Sequence, residues 1–411
     1  MRCAVFQDVS GGKTRCLTFT GSNIMRRMLS ISHITSGFIA ILVGYTSSAA
    51  IVFQAAAAAG ATTEQISSWL WALGIGMFLT TVGLSLRFKT PVLTAWSTPG
   101  AALLATSLVG VSMGDAVGAF MFASVLTILV GVFGWFDQIM QRVPKSLSAA
   151  LLAGVLVKFG LGLFVAMRTQ AALAVVMLLC YLVGRRLWPR YAVPVAFLLG
   201  LLMSGAFGLI HMEAVNLDVT VPVWTAPSFS LAAWIGVGLP LFVVTMTGQN
   251  MPGMAVLRAN GYQTPASPIV TWTGLAGLLL APFGGYAFNL AAITAAICMS
   301  PEADPQPAER YRAAVWAGMF YLLTGLFGAT MASLFTALPQ ELIAAIAGLA
   351  LLATIGNALT GALAVEAERD AALVTFLCTA SGLSMFGIGS AFWGLVFGLV
   401  VRWIMTVRQS N

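Results

Sequence analysis

Two adjacent amides, Gln249-Asn250, with Pro252 and Gly253 close behind, sit at the end of a long apolar run in a chain whose charged residues make up only 8%. Uncharged amides at such a place face protein or water rather than lipid. Thr245, Thr247 and Gly248 enlarge this polar group, and a second one gathers at Gly44-Tyr45-Thr46-Ser47-Ser48 with Gln54. Two further stretches read as broken helices. Pro91 to Ala102 passes through β-branched and aromatic residues into Ser97-Thr98-Pro99-Gly100, a helix-start signal. Gly284-Gly285-Tyr286-Ala287-Phe288-Asn289 leads into Leu290-Ala291-Ala292-Ile293-Thr294, with Asn289 placed to cap another short helix. Helix starts offer free backbone N–H groups and positive partial charge, which is the chemistry of an anion site. The blander alternatives are hydroxyls that only join helices, and Pro99 and Gly284-Gly285 that only kink or end them.

No Asp or Glu lies well inside an apolar run. A carrier of a neutral base can use a membrane carboxylate to accept its N–H groups, but the same group would repel a carboxylate substrate at low dielectric. The one strongly internal charge, Lys158, can draw in an anion, pair with helix carbonyls or snorkel to the interface. His33 and His211 stand alone at run ends, and the five cysteines show neither metal-ligand nor disulfide spacing. Without a nucleophile–base pair or a metal cluster, the expectation is transport rather than catalysis, with no cofactor. The net charge of +7 is scattered singly and in pairs without a basic face, so nucleic acid is not an expected partner.

The elements that must position these residues are membrane helices. The chain is 59% hydrophobic, against roughly one-quarter charged residues in a soluble domain. Apolar runs fall near 31–59, 66–86, 91–111, 115–136, 146–167, 170–184 and 192–211, then 231–250, 267–282, 284–299, 313–336, 341–363, 371–387 and 389–407. That is an all-α polytopic membrane protein with fourteen spans. Basic residues mark every second loop, from Arg26-Arg27 through Arg87 and Lys89, Arg142 and Lys145, and Arg185, Arg186 and Arg190, to Arg258, Arg310 and Arg312, Arg369 and Arg408. The positive-inside rule then puts both ends in the cytoplasm of a bacterial inner membrane. Residues 1–28 read as a disordered tail, with Met25 a candidate start.

The halves resemble each other. Gly131-Val132-Phe133-Gly134 recurs as Gly325-Leu326-Phe327-Gly328, and Ala153-Gly154 as Ala347-Gly348, both at an offset of 194. A repeat of seven spans, 29–213 and 231–411 joined by an extracytoplasmic linker at 214–230, re-enters the membrane from the opposite side and is therefore inverted. The two broken stretches are spans 3 and 10, equivalent places in the two halves, so half-helices beginning near mid-membrane are expected there. Non-helical backbone at that depth must be buried in protein or line a cavity.

The runs Thr94-Ala95-Trp96-Ser97-Thr98-Pro99-Gly100-Ala101-Ala102, Gly44-Tyr45-Thr46-Ser47-Ser48-Ala49-Ala50, Gln249-Asn250-Met251-Pro252-Gly253 and Ala291-Ala292-Ile293-Thr294-Ala295-Ala296-Ile297 resemble the benzoate/proton symporter (BenE-type) family from about residue 30 onward. That family is distantly related to nucleobase and sulfate permeases. The resemblance implies a core domain from spans 1–4 and 8–11, a gate domain from spans 5–7 and 12–14, and a substrate held between the half-helices. It implies uptake of an aromatic carboxylate with a proton, by elevator-like or rocking motion. Another anion such as sulfate, or a nucleobase, is the alternative substrate; a channel or a membrane enzyme is a more distant one. The implied site residues are Tyr45, Ser47, Ser48, Ser97, Thr98, Gly100, Gln249, Asn250, Gly253, Tyr286, Phe288, Asn289 and Thr294, with Tyr286 and Phe288 offering faces to a benzene ring. Gln249 and Phe288 stand where nucleobase permeases place acids, departures that fit a changed substrate. Lipid surrounds the chain, and its oligomeric state is open between monomer and homodimer.

Overall fold

The computed structural model describes residues 3–6, 15–18, 30–136, 144–211, 213, 215, 217–383, 385 and 390–407. Within the expected disordered tail, β1 (Cys3–Phe6) and β2 (Arg15–Thr18) pair antiparallel. Their apolar and β-branched residues favour such a ribbon, which is only marginally stable by itself. The first half continues with α1 (Ile31–Ala58), α2 (Thr63–Phe88), β3 (Thr94–Trp96), α3 (Thr98–Ser107), α4 (Met113–Val132), α5 (Lys145–Ala166), α6 (Ala171–Leu187) and α7 (Ala192–Ala206). The second half holds α8 (Leu231–Arg258), α9 (Ala266–Leu280), β4 (Phe288–Leu290), α10 (Ile293–Cys298), α11 (Tyr311–Leu326), α12 (Gly328–Ala337), α13 (Gln340–Leu363), α14 (Arg369–Ser381) and α15 (Ser390–Val407).

Among the described residues, six helices are long and apolar enough to cross a membrane, namely α2, α4, α5, α8, α9 and α13. The count reaches eight if two bent pairs each form one span: α1, broken near residue 47, and α11 with α12, which meet at 69°. The chain is thus a mostly helical, multi-pass membrane protein. The expected total of fourteen includes segments too short or too broken to meet that length, above all α3 and α10.

Close packing falls at small residues, as expected where lipid removes the hydrophobic drive between helices. The most extensive pairings are α13 with α5, α11 with α2, and α9 with α4. A Cβ at Gly325 would lie 2.9 Å from Gly74 Cα, and one at Gly131 would lie 2.9 Å from Thr271 Cα. Gly131 and Gly325 open the two matching Gly-x-Phe-Gly runs. Each lets its helix, α4 or α11, press against the second helix of the other half.

Candidate functional site

Two extended segments meet inside the helical assembly. β3 and β4 pair antiparallel with Thr94 opposite Leu290, Ala95 opposite Asn289 and Trp96 opposite Phe288. Flanking bonds extend the ladder: Ala291 N donates to Leu93 O at 2.9 Å, and Ser97 N donates to Ala287 O at 3.2 Å. The pairing satisfies backbone groups that a broken helix would leave bare in an apolar interior. Side chains fix its depth. The Thr94 hydroxyl lies 2.6 Å from that of Thr80 and 2.7 Å from that of Thr81, tying β3 to α2. On the other side α8 comes so close to β4 that a Cβ at Gly253 would lie 3.1 Å from Leu290 O.

Each strand leads into a short helix. Ser97 caps α3, its Oγ accepting Gly100 N–H at 2.9 Å, with Pro99 in the first turn. A Cβ at Gly100 would lie 2.9 Å from Leu241 Cδ1, which accounts for glycine there. The start of α10 differs from expectation. It begins at Ile293, after an Ala292 cap that makes no side-chain bond, and Asn289 lies instead within β4. The reason is the partner of Asn289. Its Oδ1 accepts Asn250 Nδ2 at 2.9 Å, while Asn250 Oδ1 accepts Leu290 N–H at 3.0 Å. The Gln249-Asn250 pair lies in a π-helical turn of α8, Met246–Asn250. Such a turn changes the direction of successive side chains, and the two amides part company here. Asn250 serves β4, whereas Gln249 faces a cavity.

That cavity has a volume of about 880 Å³. Of the expected site residues, Ser48, Thr98, Gln249 and Thr294 line it, together with Gly44, Trp96 and Pro99. Ser97, Gly100, Asn250, Gly253 and Asn289 stand behind this lining and shape the strands and helix starts. Tyr45 packs edge-on against Trp96, ring centroids 4.8 Å apart. Ser47 falls at the break in α1.

Three expectations change. Tyr286 and Phe288 do not line the large cavity. Tyr286 is fully buried between Trp69 and Phe120 and donates its hydroxyl to Ser97 O at 3.2 Å. Phe288 packs so tightly on α2 that a Cβ at Gly76 would collide with its ring. The aromatic face toward the cavity comes from Trp96. Lys158 also lies elsewhere: it is exposed on α5, beside Gly382 at the end of α14.

The structure adds residues that the sequence reading passed over. Arg185, in the last turn of α6, is the only charged residue among those described around the cavity. Tyr181, Tyr321, Thr354 and Asn357 line it too. Asn357 carried the same signal as Gln249, an amide inside an apolar run, whereas Arg185 reads only as a topology marker. Outside the cavity lining, His33 is buried and its Nε2 lies 2.9 Å from Asp304 Oδ2.

Comparison with known proteins agrees with this architecture. A family described as Benzoate membrane transport protein matches residues 27–404. The chain is 50% identical over 363 residues to Inner membrane protein YdcO of Escherichia coli (strain K12), covering 88% of this chain and 93% of that one. It is 42% identical over 382 residues to the Benzoate membrane transport protein of Acinetobacter baylyi, covering 93% and 97%. Among solved structures, the transmembrane domain of the cyanobacterial bicarbonate transporter BicA shares the fold, with a TM-score of 0.59 at 15% identity over 93% of this chain and 98% of that one. By the extent of the family match and these identities, the chain is a member of the BenE benzoate membrane transport family.

Proposed function

We propose that the protein carries benzoate, or a closely related aromatic carboxylate, into the cell together with a proton. The character of the cavity carries this reading. Its lining joins an indole face at Trp96, neutral polar groups at Ser48, Thr98, Gln249 and Thr294, and one cation at Arg185, with no carboxylate among the described lining residues. A ring bearing one negative group matches that composition. The ring gains burial and aromatic contact, and the carboxylate gains donors without meeting a like charge. The relative from Acinetobacter baylyi is a benzoate membrane transport protein, and BicA is a bicarbonate transporter.

In this reading the fourteen apolar segments form two inverted repeats of seven, and α3 and α10 are membrane half-helices that follow the crossed strands β3 and β4. Core spans 1–4 and 8–11 carry the substrate against gate spans 5–7 and 12–14. Arg185 and Ser300 lie at segment ends that the basic loops assign to the cytoplasm, so the cavity opens inward in an inner-membrane protein with both termini inside. Alternating access moves the core relative to the gate.

Purified protein in liposomes, with labelled benzoate outside and an inward proton gradient, tests the reading. Accumulation that collapses with the gradient and is blocked by unlabelled benzoate is expected. Blockade and uptake by sulfate or a nucleobase, with benzoate inert, would overturn it.

A further inference from the structure

A second, much smaller cavity lies against β4. It measures about 10 Å³ and is lined by Ser124 and Thr127 of α4, Thr245 of α8, Thr273 of α9, and residues 286–289. That volume is at the lower limit for one water molecule. Asn289 is 2% exposed, and its Nδ2 has no hydrogen-bond partner.

The direction of that amide follows from a chain of bonds. Leu290 N–H can only donate, so the Asn250 atom that receives it at 3.0 Å is Oδ1. Asn250 must then present Nδ2 to Asn289, which accepts through Oδ1 at 2.9 Å. Asn289 is left with its N–H group directed away from Asn250, and the small cavity is a space that residue lines. The threonines supply the complementary role. Thr127, Thr245 and Thr273 already donate their hydroxyl protons to Ala123 O, Phe242 O and Val270 O at 2.8, 3.1 and 3.1 Å. Only their oxygen lone pairs remain for an occupant.

We infer that this cavity binds a single water molecule, which accepts from Asn289 Nδ2 and donates to threonine oxygens, and that it excludes a metal cation. Water has both donors and acceptors, so it satisfies both kinds of group. A sodium ion would suit the threonine oxygens but would meet the positive end of the Asn289 amide, which the backbone N–H of Leu290 prevents from turning over. The water joins α4, α8 and α9 to β4, bracing the crossed strands from behind. Unfilled, the buried Asn289 N–H would carry the penalty of an unpaired polar group.

A structure of the full-length protein at a resolution that shows ordered water should hold one peak within hydrogen-bond distance of Asn289 Nδ2. Melting curves in sodium chloride and choline chloride of equal ionic strength should coincide for the native protein. Asn289→Asp replaces the inward N–H with an oxygen, and that variant should gain a melting-temperature rise that saturates with sodium. An empty cavity, a sodium-dependent melting point in the native protein, or a folded Asn289→Asp variant indifferent to sodium would each overturn the assignment. The native-protein measurements stand even if the variant does not fold.

Discussion

Trp96 Nε1 donates to Ser48 Oγ at 2.8 Å, and Ser48 Oγ donates onward to Gly44 O at 2.7 Å. The bond ties β3 to α1 and sets the plane of the indole that faces the large cavity. Ser48→Ala leaves the buried indole N–H without a partner, at a cost of about 1–3 kcal/mol. A lower melting temperature and weaker benzoate binding by tryptophan fluorescence are expected. Adding Trp96→Phe to Ser48→Ala should restore part of the lost stability, since both polar partners are then gone. A double-mutant cycle that shows simple additivity would remove the bond from the account.

Gln249 differs from its neighbour in what it touches. It lines the cavity, while Asn250 holds β4. Gln249→Ala should therefore raise the KM for benzoate with little change in melting temperature. Asn250→Ala should lower the melting temperature, because Leu290 N–H and Asn289 Oδ1 both lose their partner. Gln249→Glu sets a carboxylate against the substrate, so uptake should fall at neutral pH and recover as the medium is acidified and the new group is neutralised. Equal uptake by Gln249→Glu and native protein at neutral pH would place the carboxylate of benzoate elsewhere.

Much of this site was legible in particular residues. Ser97-Thr98-Pro99-Gly100 announced a helix start, and Ser97 is the cap of α3. Most of the apolar runs coincide with helices, whereas 91–111 and 284–299 each hold a strand and a short helix, and 313–336 is two helices that meet at 69°. Asn289 misled because a cap signal is local, whereas its actual partner, Asn250, is 39 residues away and reaches it through a π-helical turn. Tyr286 and Phe288 differ from expectation for a related reason: residue type announces an aromatic ring, but the room left at Gly76 places the Phe288 ring, and Trp69, Phe120 and the Ser97 carbonyl place that of Tyr286. The pairing of β3 with β4 joins segments nearly two hundred residues apart, a relation that no local pattern encodes.

Arg185 and Lys158 separate two kinds of cation. Arg185 lines the cavity, and Lys158 stands exposed beside Gly382. Arg185→Gln should weaken benzoate binding from the cytoplasmic face, measured as exchange in inside-out vesicles, with a smaller effect on affinity from the outside. Lys158→Gln should leave both nearly unchanged. The reverse pattern would return the anion-attracting role to Lys158.

The proposed symport requires a group that carries the proton. With carboxyl pKa values near 4, benzoate is ionised at neutral pH, and its entry into a negative-inside cell needs a compensating positive charge. Among the described residues no Asp or Glu lines the cavity. Glu64 and Asp115 lie in the first turns of α2 and α4, the latter bonded to Ser112 and Ser228 hydroxyls at 2.8 and 2.7 Å; Asp137 lies outside the described residues. His33 is buried and pairs with the partly exposed Asp304. Asp304 belongs to the segment after α10, where Arg310 donates to Asp304 O and Met299 O at 2.7 Å each. These bonds make the pair a clamp between α1 and the end of α10. If the proton instead travels on the substrate carboxylate, made less acidic by desolvation, then no residue must titrate during the cycle. Glu64→Gln, Asp115→Asn, Asp137→Asn, His33→Gln and Asp304→Asn should then all keep proton-driven accumulation, although the last two should lower the melting temperature through the lost clamp. A variant that still exchanges benzoate but no longer accumulates it against a gradient would identify its residue as the proton carrier and end the substrate-borne route.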